Sequence, residues 1–179
     1  MKVEESAVII KALMSENKIT RSKPYRMEFF MAKSTESLTL AKQLLSQDLS
    51  NMWVINIAYY SMFFAGTSLL AHLGKEINEE KSIHKLTYHS LIYFCLIENN
   101  KLQKHFIEEY KDAYDDAQQL LLFAESKALS MIQDYEYERD KRKRFTYDMG
   151  EIAERNKATT SVTRAEYFVT EVRKIMLKK

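Results

Sequence analysis

Five of the six residues in Arg139-Asp-Lys-Arg-Lys-Arg144 are basic, and Phe145-Thr146-Tyr147 follows directly. Guanidinium and ammonium groups at such spacing hold phosphates, arginine in a bidentate manner. Arg139, Arg142 and Arg144 are therefore candidate RNA- or nucleotide-binding residues. An equally simple reading pairs these cations with Glu136, Glu138 and Asp140 on the same helix, a weak surface arrangement.

Other residue types that could do chemistry carry plainer readings. The four histidines are His72, His84, His89 and His105. His84 and His89 are five apart, about 140° around a helix, so they do not share a face as an i, i+4 metal pair does. With one cysteine and no H-E-x-x-H, neither a metal site nor a cofactor is expected, and the imidazoles read as core-edge or solvent-facing groups. The acidic run Glu108, Glu109, Asp112, Asp115 and Asp116 reads as one solvated helix face rather than paired acid–base carboxylates. Tyr59, Tyr60, Phe63 and Phe64 resemble a base-stacking platform, but their neighbours Ile57, Ala58, Met62 and Ala65 make them core by default.

The elements that must position these residues are helical. Three glycines and one proline in 179 residues leave little material for hairpins or phosphate-cradling loops, and neither G-x-G-x-x-G nor G-x-x-x-x-G-K-[ST] occurs. No stretch alternates with period two between turn signals, so a sheet has no support. Apolar positions instead predict a short helix over Val8, Ile9, Ala12 and Leu13, then an amphipathic helix from about Tyr25 to Gln47 on Phe30, Leu38, Ala41 and Leu45, with Ser34 filling one step. A mostly apolar helix follows over about Asn51 to Leu73, closed by Gly74. Another carries Ile83, Leu86, Leu91, Phe94 and Cys95, and a long pattern covers Leu102 to Phe145, broken once. The last starts near Thr160 with Val162, Ala165, Phe168, Val172 and Ile175 on one face. The expected fold is all-α, an antiparallel up-and-down bundle of five or six helices, with residues 1–24 an N-terminal arm or short helix and 25–179 the bundle.

Composition fits one domain. Basic and acidic residues number 27 and 25, a net +2 with no overall field to draw the chain onto nucleic acid or a membrane. Lone Cys95 points to a reducing, cytoplasmic compartment. The first thirteen residues mix Lys2, Glu4, Glu5 and Lys11 with apolar ones, unlike a secretion signal. Leu49 to Gly74, 26 residues without Lys, Arg, Asp or Glu, is long enough to span a bilayer. Its Asn51, Asn56, Ser61, Thr67, Ser68 and His72 favour the central helix of a bundle instead, and no membrane contact is expected.

Several blocks together resemble the HEPN superfamily, small helical-bundle domains often encoded beside a minimal nucleotidyltransferase. They are Ala32-Lys33 with Ser37-Leu38 and Ala41 to Leu45; Ala58-Tyr-Tyr-Ser-Met-Phe-Phe-Ala65 with Leu69-Leu70; Lys81-Ser-Ile-His-Lys85; Arg142-Lys-Arg-Phe-Thr-Tyr147; and Ala165-Glu-Tyr-Phe168. The similarity spans about Met27 to Leu177. It implies a homodimer of toxin–antitoxin or defence type, a nucleotidyltransferase partner, and RNA or a nucleotide as further ligand. In active members, an R-x(4 to 6)-H motif from two copies cuts RNA without metal: the imidazole handles the 2′-hydroxyl proton and the guanidinium holds the phosphate.

This chain departs from that motif where the chemistry lies. Five on from Arg142 stands Tyr147 in place of histidine, Arg155-Asn156 leads to Thr160, and every histidine lies upstream. An unperturbed tyrosine near pKa 10 is ionised about one part in a thousand at pH 7, roughly 4 kcal/mol worse placed as a base than an imidazole. The resemblance thus implies a binding module with a degenerate motif; a metal-independent ribonuclease using Arg142 and Tyr147 is the alternative. By the same resemblance, Tyr147 is the candidate acceptor if the partner adenylylates a tyrosine.

Overall fold

Stripes at helical spacing need facing surfaces to bury them, and the chain supplies these by folding back on itself repeatedly. The computed structural model describes residues 3–79, 81–135 and 155–177. In chain order these form α1 (Val3–Ser15), β1 (Ile19–Arg21), α2 (Tyr25–Ser46), α3 (Asn51–His72), β2 (Lys75–Ile77), α4 (Ile83–Ser90), a π-helical segment (Leu91–Glu98), α5 (Lys104–Tyr135) and α6 (Arg155–Leu177). The fold is all-α, a helical bundle with one very small sheet.

Helix α3 is the centre of the bundle. It is the one described helix long and apolar enough to cross a membrane, yet most of it is buried among its neighbours. Its polar residues explain how it tolerates this place. Ser61 Oγ donates to the Ser34 carbonyl at 3.0 Å and Ser68 Oγ to the Met27 carbonyl at 2.7 Å, tying α3 to α2. Asn56 Nδ2 donates to the Met52 carbonyl at 2.9 Å within the helix itself. Small residues allow close packing: a Cβ on Gly66 would meet Leu91 Cδ1 at 3.1 Å and Tyr110 Cε2 at 3.6 Å.

Helix α6 buries all five expected residues, Val162, Ala165, Phe168, Val172 and Ile175, against α3. It is already helical at Arg155, upstream of the expected start near Thr160. Its first turns have no apolar stripe beyond buried Ala158; the Thr159 and Thr160 hydroxyls donate to the Arg155 and Asn156 carbonyls at 3.0 and 2.8 Å.

Three further features differ from the sequence expectation. Helix α1 buries Ser6, Ile10 and Leu13, while Val8 is 71% exposed, so the inward face is rotated from the one expected. The chain also contains a two-stranded antiparallel ribbon pairing Ile19 with Ile77, Thr20 with Glu76 and Arg21 with Lys75. Three residues per strand are too few for an alternating pattern to be read. Finally, Leu91–Glu98 winds as a π-helix, and beyond it the Cys95 carbonyl accepts from the backbone N–H groups of both Lys101 and Leu102. Asn100 closes the turn at φ 46° and Gly74 closes α3 at φ 73°, the left-handed conformation these residue types favour.

Candidate functional site

Arg139, Arg142, Arg144 and Tyr147 lie outside the described residues. The other motif half considered, Arg155-Asn156, is within them. Arg155 pairs with Asp48 and its Nη2 donates to the Leu45 carbonyl at 3.5 Å, so this guanidinium ties the start of α6 to the end of α2. It is occupied by a structural contact.

A polar centre that sequence reading passed over lies where α3, α4 and α5 meet. Phe64 stacks on Phe30 of α2 at 6.1 Å, whereas Tyr59, Tyr60 and Phe63 lie beside α4, and His84, in the first turn of α4, enters among them. Its ring centroid is 4.2 Å from Phe63, 5.5 Å from Tyr60, 5.6 Å from Tyr59 and 6.4 Å from Tyr114, the last nearly parallel at 19°. Tyr59 Oη lies 2.7 Å from His84 Nδ1. Tyr59 and Phe63 are buried, as expected of core rings, whereas Tyr60 is 37% exposed and opens the cluster to solvent.

Burial sets the protonation of this pair. It pushes the Tyr59 phenol far above the ordinary tyrosine value, with the neighbouring Tyr110 adding to the rise, so the hydroxyl keeps its proton. Burial lowers the His84 imidazole below its usual 6.5. Assigning the phenol proton to the short bond makes Nδ1 the acceptor and leaves the neutral ring protonated on Nε2. In that tautomer His84 is a hydrogen-bond donor and not a ready base.

The remaining histidines are also accounted for. His89 is buried, with Nδ1 2.9 Å from Ser6 Oγ. His105 is exposed and lies against Phe106 at 4.0 Å between centroids. His72 is partly buried; burial, then the charge of Lys101, lowers its pKa. No described group of three or more His, Cys, Asp or Glu side chains could hold a metal ion.

The charged surroundings are mixed. Lys81 and Lys85 flank His84 in sequence and are exposed. Lys111 pairs with Asp115 and stands 5.7 Å from the Tyr114 ring centroid. In the acidic run, Glu108 pairs with Lys104 at 3.3 Å. Arg164 of α6 bridges Asp112 and Asp116 at 4.0 and 3.4 Å. Four of these five carboxylates thus face cations, whereas Glu109 Oε2 is buried with no hydrogen-bond partner among the described residues. Cys95 is buried, which pushes its thiol up to about 12 and leaves it unreactive.

Sequence reasoning missed the Tyr59–His84 pair because nothing local announces it: the residues are 25 positions apart on different helices. The available signal was the joint occurrence of the Tyr-Tyr-x-x-Phe-Phe and Lys-x-x-His blocks. No protein-family model matches the chain, and a search of curated proteins finds no match.

Proposed function

We propose that this chain is a dimeric HEPN-type module of toxin–antitoxin or defence type. It binds a nucleotidyltransferase partner, and RNA or a nucleotide through Arg139, Arg142 and Arg144, with a catalytic motif that has lost its imidazole. The observation that carries this reading is the convergence of blocks on which the resemblance rests. Residues 58–65 and 81–85 interlock through the Tyr59–His84 bond and the Phe63–His84 contact. Ala165 and Phe168 of the last block are fully buried, and Phe168 lies 5.6 Å from Tyr110, which itself packs on Tyr59. Motif residues of one domain type are expected to share a core in this way.

The upstream histidines also bear on catalysis. His84 and His89 are engaged at Nδ1 by a phenol and a hydroxyl, and the neutral His84 ring presents a donor. In that form His84 does not take the proton that a motif histidine removes, and His89 is buried away from solvent, which favours binding over cleavage.

The test is incubation of the purified protein with structured and unstructured RNA in EDTA, beside Arg142→Ala and Tyr147→Phe variants. The expected outcome is no cleavage, with RNA binding that weakens as salt rises and falls in Arg142→Ala. Cleavage by the wild type that vanishes in Arg142→Ala would establish the ribonuclease instead. Absence of both would refute the RNA arm and leave only the protein partner, to be sought by co-purification with the nucleotidyltransferase.

A further inference from the structure

Helix α2 carries two stripes. The inward one, with Ser34 and Ala41 buried, packs on α3. The outward one bears Phe29, Lys33, Glu36 and Leu40, whose steps of four, three and four align them along one side of a helix. Phe29 is 51% and Leu40 44% exposed, large apolar groups left facing solvent. Beside them Ala32, Thr35, Thr39 and Gln43 line a shallow, open surface. Small side chains there permit a second helix to approach closely. Arg173 of α6 reaches the edge of this surface, donating to Thr35 Oγ1 at 2.6 Å.

The order along the stripe is apolar, cation, anion, apolar. Laid antiparallel against a copy of itself, it sets Phe29 against Leu40 and Lys33 against Glu36, and both pairings share the same midpoint, between Ser34 and Thr35. Laid parallel and in register, it would oppose like charges. Either arrangement can obey a two-fold axis, but only the antiparallel one also satisfies charge and apolar complementarity together. Within one chain Lys33 and Glu36 already pair at 2.8 Å, so a second copy extends an existing ion pair into an alternating cluster of four.

We infer that the outward face of α2 is a homotypic interface, in which two copies of this chain pair their α2 helices antiparallel across a two-fold axis crossing the helix at Ser34–Thr35. The inference rests on the dimeric reading proposed above and assigns its surface. The apolar pairs supply the burial, and the charges fix direction and register.

Sedimentation velocity of the full chain, up to about 100 μM, tests it. The wild type is expected to be a dimer, and Leu40→Glu or Phe29→Glu to raise the dissociation constant by about tenfold or more. Glu36→Lys is expected to weaken the dimer and Lys33→Glu/Glu36→Lys to restore it. These side chains are exposed, so circular dichroism at low temperature should be unchanged; if a glutamate at 29 or 40 disturbs the fold, the charge pair alone decides. A monomeric wild type overturns both the interface and the dimeric reading. A dimer indifferent to Leu40→Glu and Glu36→Lys overturns the α2 assignment and leaves the dimer standing. Failure of the double reversal to restore what Glu36→Lys weakens overturns the antiparallel register.

Discussion

The imidazole of His84 spends its polarity inside the protein. Enclosed by rings and bonded to a phenol that holds its proton, it favours the neutral form, and NMR titration should find it below the 6.5 of an unfolded histidine, with His72 shifted in the same direction. The sign for stability follows from linkage. Above pH 6.5 both states hold neutral rings and the contribution is complete; as pH falls below 6.5, the unfolded chain takes up protons that the folded rings resist. Stability is therefore expected to fall through that window toward the lowered folded values, and urea denaturation at pH 7.5, 6.5 and 5.5 measures it. His84→Asn should flatten part of that dependence. Tyr59→Phe, which leaves Nδ1 without its donor, should cost about 1 kcal/mol in the same assay and move the His84 titration upward.

At the scale of elements, the close contact of α3 with the π-helical segment and α5 makes Gly66 a sensitive position. Gly66→Ala is expected to stay within about 1 kcal/mol of wild type, because better helix propensity offsets a small displacement of Leu91. Gly66→Leu should destabilise by about 1–3 kcal/mol through overpacking. Thermal denaturation distinguishes the two. Helix α1 is held by Ile10, fully buried where it meets α4 and the π-helical segment, so Ile10→Ala should cost about 2–5 kcal/mol. A loss below 1 kcal/mol would mean that α1 is dispensable to the core.

Over the whole molecule, legibility tracked the length and regularity of each pattern. The five-residue stripe of α6 and the extent of α3 were readable because burial on helices leaves a period of 3.6 over many turns. The inward face of α1 was not, since Val8, Ile9 and Ile10 are adjacent and only the neighbouring elements decide which points in. The apolar run Leu91–Glu98 reads alike for α- and π-winding, which differ in hydrogen-bond partner and not in residue type. For the candidate site, the basic cluster at Arg139–Arg144 was legible as charge, whereas the Tyr59–His84 pair depends on a contact between helices that only the assembled bundle supplies.

The pairing of β1 with β2 has a kinetic consequence. It joins residues near the start of the chain to others reached only after two long helices, and closing so large a loop carries an entropic cost before any contact rewards it. The opening segment should therefore dock after the central helices have associated. Stopped-flow measurements on Ile10→Ala are expected to show faster unfolding with a nearly unaltered refolding rate; a refolding rate that drops in proportion to the lost stability would place α1 in the nucleus instead.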